Sequence, residues 1–245
     1  MDRLIYTAMN GARTVLWRQA VNNHNLANLD TTGFRADLAA QQGWLLRGAG
    51  YAARAVGDGR WLGFDATPGR LQHTGRDLDV AVAGRGYLAV QTPEGGEAYT
   101  RAGALRVDAA GVLRTAEGWA VLGDGGPIAL PPFESVEIGA DGTVSVRPAG
   151  QGAATLAAVA RIKLVAPPDG ELVKRPDGLL EHPAGVQPAD AGVRLVSGAL
   201  ESSNVNAVDA LVTMIDLSRQ FELGVKVLER AEEMDRASAA LMRLR

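Results

Sequence analysis

Asp77 and Asp79 are the nearest thing in this chain to a catalytic carboxylate pair, since two acids in one short segment can act as general acid and general base. Two residues apart on a strand they share a face, and alternation with Leu78, Val80 and Val82 makes that face the solvated one. Both therefore read as surface aspartates. His24, His73 and His182 lie far apart, without a second ligand type at metal-site spacing. Gly84-Arg85-Gly86-Tyr87 lacks the third glycine of a dinucleotide fingerprint and runs into a strand pattern, which leaves a tight turn. Asp141-Gly142-Thr143 lacks the other oxygen ligands of a calcium loop, and no Gly-x-Ser-x-Gly elbow occurs. No catalytic, metal-binding or cofactor-binding constellation is expected.

These residues sit in a chain of 245 residues, 47% of them hydrophobic, enough for one large core or two small ones. The balance of 25 basic and 28 acidic residues gives a net charge of −3 with no strongly basic segment, so the electrostatic footprint of a nucleic-acid binder is missing. Cysteine is absent, which excludes disulfides and thiolate metal sites and leaves the redox compartment open. No apolar run is long enough to form a membrane-spanning segment. Arg13 and Arg18 interrupt the first helix before a signal-peptide core could form, so any export is expected to proceed without an ordinary cleaved signal.

Amphipathic helices are the strongest pattern, one at each end. Ile5, Met9, Ala12, Leu16, Gln19, Asn23 and Leu26 fall four and three residues apart, the period of one helical stripe. Near the other end Leu211, Met214, Leu217, Phe221, Val225, Leu228, Ala231 and Met234 keep three- and four-residue steps, with Arg219, Glu222, Lys226, Glu229, Glu233 and Arg236 on the opposite side. The spacing predicts a first helix of roughly 25 residues, about 37 Å long, and a second from about Val205 to Leu244, about 60 Å long. Asn206-Ala207-Val208-Asp209 supplies a cap and an early acid for the second. Such helices are held mostly by burying their stripe, so these invite pairing with each other, with neighbouring molecules, or with the chain's own β-structure.

Between about Arg35 and Ser203 turn pairs recur: Asp58-Gly59, Pro68-Gly69, Gly95-Gly96, Ala110-Gly111, Gly125-Gly126, Asp141-Gly142 and Asp169-Gly170. They separate short alternating segments such as Leu78 to Val82, Val136 to Ile138, Thr143 to Val146 and Ile162 to Leu164. Pro131-Pro132 and Pro167-Pro168 are expected to end strands. The fold class that follows is mainly β with α: an antiparallel β-domain between N- and C-terminal amphipathic helices. The stretch from Gly43 to Gly63, with Trp44, Tyr51 and Trp61, reads equally as a linker, an extended hairpin or a contact surface.

Asn22, Asn23, Asn25 and Asn28 crowd the end of the first helix, where they are poor helix formers but able to bond backbone or partner amides. Asn28 is expected to cap the helix, Gly33 to take a positive φ, and Phe34 to anchor the turned chain in an apolar pocket.

The joint Asn25-Leu26-Ala27-Asn28-x-x-Thr31-x-Gly33-Phe34, together with the late Glu201-Ser202-Ser203-Asn204-Val205-Asn206, resembles the paired terminal signatures of bacterial flagellar rod and hook proteins. The opening Met1-Asp2-Arg3-Leu4-Ile5-Tyr6-Thr7-Ala8-Met9 and the late Arg219-Gln220-Phe221-Glu222 look most like the proximal-rod members. Leu78-Asp79-Val80-Ala81-Val82, Tyr99-Thr100-Arg101 and Gly126-Pro127-Ile128 resemble the family's central β-domain. His24 stands where the family often has asparagine, and Ser218 where distal-rod and hook relatives favour glutamine; Gly43 to Gly75 matches no motif.

The resemblance implies a non-enzymatic, self-assembling subunit of the proximal rod, part of a hollow drive shaft spanning the periplasm. Its implied partners are other copies, other proximal and distal rod subunits, and the flagellar type III export apparatus. Residues 1–34 and 204–245 would pair as a coiled-coil axial layer around which residues 35–203 form an outer β-domain. The implied interface comprises Ile5, Met9, Ala12, Leu16, Asn23, Leu26, Asn28, Gly33 and Phe34 in front, and Asn204, Asn206, Leu211, Ile215, Phe221, Val225 and Leu228 behind. A distal-rod subunit is the alternative. Readings of other classes are a coiled-coil scaffold unrelated to flagella and a β-rich hydrolase or carbohydrate-binding domain with Trp44, Trp61 and Trp119 lining one groove.

Overall fold

The structure, a computed structural model, describes residues 2–45, 55–148 and 156–243. They are mainly β with a helix near each end, and every strand pairing is antiparallel. The chain divides into two compact units. Unit 1 joins residues 1–28, 36–65 and 205–245; unit 2 joins residues 29–35 and 66–204. Tyr51 and the expected helix end at Leu244 lie outside the described residues.

Unit 1 holds helix α1 (Asp2–Ala27), helix α2 (Ala207–Arg243) and a hairpin of β1 (Asp37–Leu45) and β2 (Ala55–Phe64). At 26 and 37 residues the helices rise about 39 and 56 Å. Of the three readings left open for Gly43 to Gly63, the strand register selects the hairpin. Its membership of unit 1 differs from the sequence-based division, which put everything from residue 35 to 203 in one domain. The physical reason is packing: the Gly59 backbone lies so close to the Trp17 indole that a Cβ there would meet its Cε3 at 2.6 Å. Asp58-Gly59 is therefore not a turn but the interior of β2, and its glycine serves close approach of a helix.

Unit 2 is the β-unit. It contains β3 (Leu71–His73), β4 (Val80–Ala83), β5 (Tyr87–Gln91) and β6 (Glu97–Thr100), followed by short strands as far as Glu201. Among the described residues, nine strands share one sheet, with β5 and β6 near its middle. Strands Phe133–Ile138, Thr143–Pro148 and Ala157–Arg161 form a three-stranded sheet, while Arg194–Ser197 pairs with β4 and Ala199–Glu201 with β3. The core is built from Val80, Leu88, Leu105, Leu113, Val121, Val144 and Ile162, all essentially inaccessible to solvent. Gly95, Gly111, Gly126 and Gly142 take positive φ at the expected turns. Asp169-Gly170 instead lies in a single 3-10 turn, Asp169–Glu171.

Asp79 corrects the surface reading. It is buried, with Arg76 Nε donating to Oδ1 at 2.9 Å and the Thr74 hydroxyl to Oδ2 at 2.7 Å. Alternation failed because Val80, Ala81 and Val82 are all buried, so β4 has no solvated face. Asp77 is exposed.

Leu113→Ala is expected to destabilise the protein by about 2 to 5 kcal/mol, the range for emptying a filled core position. The check is the urea midpoint; a shift worth under about 1 kcal/mol would mean that this site collapses around the loss.

Candidate assembly interface

In unit 1, α1 and α2 pack antiparallel: Asn22 Nδ2 donates to the Ala210 carbonyl at 2.9 Å near the start of α2, and Ala12 faces Gly224 farther along. The α2 face that packs inward repeats every seven residues as Ala210, Leu217, Gly224 and Ala231, flanked by the half-buried Met214, Phe221 and Leu228. Small residues in that column let the backbones approach, since even a Cβ on Gly224 would meet Ala12 Cβ at an ordinary 3.7 Å. Asn206 caps α2, its Oδ1 accepting from the Val208 amide at 3.0 Å, with Asp209 in the first turn favourable to the helix dipole.

The hairpin takes a second side of α1. Asn10 Nδ2 and the Thr14 hydroxyl both donate to the Gly57 carbonyl, and Asn25 pairs with both backbone polar groups of Asp37, at 2.8 and 3.0 Å. His24 Nδ1 lies 2.7 Å from Asp37 Oδ2. Asn28 closes the helix, its Nδ2 donating to the His24 carbonyl at 2.9 Å. Asn22, Asn25 and Asn28 thus bond backbone, whereas Asn23 is exposed.

The third side of α1 is uncovered. The single stripe read from the sequence is two neighbouring columns: Ile5, Ala12 and Leu26 are half-buried, while Met9, Leu16 and Asn23 are exposed, Leu16 to 49%. On α2, Phe221, Val225 and Leu228 are half-buried, but Leu211 and Ile215 are exposed, Ile215 to 50%. Val208, Val212, Leu223 and Val227 extend the exposed apolar surface.

In unit 2, Gly33 has φ 69°, and any Cβ on it would run into the Arg101 and Ala102 backbone. Phe34 is buried with Lys174 Nζ 3.9 Å from its ring centroid, and the Phe34 carbonyl accepts from the Asn204 amide at 3.3 Å. The residue that gathers this region went unnoticed in the sequence. Glu201, 1% exposed, accepts from Arg35 Nη2 at 2.7 Å on Oε1 and from Arg101 Nη1 at 2.8 Å on Oε2; the two arginines are 3% and 5% exposed. Arg101 also donates to the Gly86 carbonyl at 2.9 Å and to the Gly84 carbonyl, so the Gly84-Arg85-Gly86 turn is a cradle for its guanidinium. The signal of this region in the sequence is charge at the two joints: Arg35 follows the Gly33-Phe34 joint, and Glu201 opens the late signature.

Arg101 stacks 5.4 Å from the centroid of the Tyr87 ring, and the Tyr87 hydroxyl donates to Asp169 Oδ1 at 2.6 Å. Burial, and then the bond to Asp169 and its negative charge, push the Tyr87 phenol well above its usual value. Burial likewise pushes Tyr99 up to about 12.

Paired terminal helices that keep an apolar side uncovered are the build of a subunit that assembles through its helices. Residues 196–241 match the family described as flagellar basal body rod FlgEFG protein C-terminal, and residues 81–146 that described as flagellar hook protein FlgE/F/G D1 domain. Across 240 residues, 95% of each chain, the sequence is 42% identical to the flagellar basal-body rod protein FlgF of Escherichia coli K12. The FlgF of Salmonella typhimurium LT2 matches at the same identity and coverage. Flagellar basal-body rod protein FlgG of Bacillus subtilis 168 is 32% identical over 261 residues, 96% of this chain and 97% of the relative. The chain belongs to the flagellar basal-body rod protein family, and the two FlgF relatives match it at higher identity than this FlgG. The matched segment 81–146 contains Arg101, and the matched segment 196–241 contains Glu201 and α2 up to residue 241.

Because the folded pKa of Tyr87 is raised above the usual 10.0, its stabilising contribution is complete below pH 10 and is lost as pH rises through the folded value. In an alkaline titration of tyrosinate absorbance, Tyr87→Phe is expected to remove a component that ionises only as the protein unfolds. A Tyr87 component titrating near 10 in the folded chain would contradict this.

Proposed function

We propose that the chain is a self-assembling subunit of the proximal rod of the bacterial flagellar basal body, part of the hollow drive shaft that spans the periplasm. In this role it catalyses nothing and needs no cofactor. The observation that carries the reading is the exposed column of Met9, Leu16 and Asn23, which stays uncovered after α1 has packed on α2 and on the hairpin. Met9 and Leu16 are exposed apolar side chains seven residues apart, the spacing by which helices join neighbours in a coiled-coil layer, with the polar Asn23 one further step along. A head-to-tail contact of this kind whose rotation does not close generates a helical tube.

In this reading α1, α2 and the hairpin form the axial layer, and the β-unit the outer one. Ile5, Ala12, Leu26, Phe221, Val225 and Leu228 hold the pair together, while Met9, Leu16, Asn23, Leu211 and Ile215 face neighbouring subunits. Asn28, Gly33, Phe34, Asn204 and Asn206 shape the joints. The partners are further copies and the other proximal and distal rod subunits, reached after export through the flagellar type III apparatus. Among the described residues no helix is long and apolar enough to cross a membrane. Identity with FlgG across nearly the whole chain supports a second reading, a distal-rod subunit. Position of the subunit in a purified basal body separates the two.

Cells lacking the gene are expected to show no complete hook-basal bodies by electron microscopy, with rods restored by the wild-type gene; intact rods in the deletion strain would overturn the reading. Leu16→Asp is expected to leave a soluble protein with an unchanged β-unit but abolish rod assembly, because an unpaired buried charge costs several kcal/mol. Normal swimming of that strain would sink the assignment of this helix face.

A further inference from the structure

Glu201 sits where unit 2 begins and ends. The chain enters and leaves this unit at residues 29, 35, 66 and 204, and each boundary adjoins a segment bonded to Glu201 or its neighbours. The Glu201 carbonyl accepts from the Gly33 amide at 2.8 Å, and Oε1 accepts from the Gly69 amide at 2.8 Å as well as from Arg35. Ser202 pairs with Arg70 in both directions, its amide donating to the Arg70 carbonyl at 2.9 Å and its Oγ accepting from the Arg70 amide at 3.1 Å. Asn204 Nδ2 donates to the Thr67 carbonyl at 3.0 Å, and Lys174 Nζ to the Arg35 carbonyl at 2.7 Å. The approach is closest at Gly69, where any side chain would overlap the Ser202 carbonyl.

We propose that Glu201 is a positioning residue for assembly: its carboxylate clamps the entering and leaving segments of unit 2 into one geometry and so fixes where the chain departs toward each terminal helix. The proposal rests on the rod-subunit reading. The two arginines are held unequally. Arg101 keeps the Gly84 and Gly86 carbonyls and the Tyr87 ring whatever happens at Glu201. Arg35 has Nε and Nη1 buried without a hydrogen-bond partner, and only Nη2 reaches the carboxylate. Neutralising Glu201 therefore releases Arg35 and the joint that carries it, while Arg101 stays anchored to β-structure. The loss is local, confined to residues 29–35, 66–70 and 199–204, and leaves the sheet core standing. A clamp of this kind keeps the exit geometry whether or not the helices are packed, which is what a subunit needs if its ends order only on a partner.

The test is hydrogen exchange on the full chain carrying Glu201→Gln, with the same variant expressed in the deletion strain. Amides of Gly33, Gly69, Ser202 and Asn204 are expected to exchange about tenfold faster or more, the effect of losing a hydrogen bond to a charged group, with Leu88, Val90 and Val121 unchanged and rods incomplete. Unchanged exchange at the joint would overturn the clamp, and equal acceleration in the core would reduce Glu201 to a global stabiliser. A loosened joint with complete rods would overturn its positioning role. Should Glu201→Gln not fold, Arg35→Met removes the less anchored cation, leaves Glu201 paired with Arg101, and is expected to give the same local acceleration. Failure of the wild-type gene to restore rods would count against the rod reading instead, and leave the exchange result standing.

Discussion

A carboxylate removed almost entirely from water is the constraint around which unit 2 closes. Desolvating Glu201 costs several kcal/mol, and attraction to a single partner in poor geometry does not recover it. Here the cost is met by two guanidiniums and a backbone amide that reach the carboxylate from three remote segments. Each donor has its own requirement. The Gly69 amide can approach only because there is no Cβ to strike Ser202, and Gly33 turns the chain through a positive φ against the Arg101 backbone. Arg101 is held by carbonyls of a glycine turn, which prevents a second buried charge from lacking partners. The charge centre thus dictates glycines far from it in sequence.

The helices obey a different constraint, set by geometry. An α-helix of seven-residue periodicity has room for three sides, and α1 uses all of them: one for α2, one for the hairpin and one left to solvent. Small residues mark the first side, Ala12 against Gly224. Polar residues that bond backbone mark the second, Asn10, Thr14 and Asn25. Large apolar residues left exposed mark the third, Tyr6, Met9 and Leu16. Residue size and polarity therefore separate what is bonded within the unit from what remains available.

Both helices, the Asn206 cap, the Gly33 conformation and most hairpin turns were legible in the sequence, because each is fixed by neighbours within about one turn of chain. What escaped was set by remote contacts. A three- and four-residue spacing cannot tell one broad stripe from two adjacent columns; that depends on which partner lies against each, so Met9 and Ala12 looked equivalent. Gly59 read as a turn because nothing local reveals the indole above it. Asp79 read as solvated because alternation presumes one wet face, and β4 has none. Arg35, Arg101 and Glu201 each look like ordinary surface charges, and only the fold brings them together.

The two constraints divide the labour. Stability of unit 2 rests on a filled sheet core and a buried charge centre at Glu201, neither of which needs the helices' exposed column. In the rod reading that separation has a physical use. Contacts strong enough to build a shaft would make monomers associate prematurely if they also held the fold together, whereas a marginal helix surface can remain unsatisfied until a neighbour covers it. The exit geometry must then be enforced by something stiffer than the helices themselves. Buried ion pairs suit that task because their energy falls away steeply when the geometry is lost, so they favour one arrangement of the joint over its neighbours even where a purely apolar contact would be as stable.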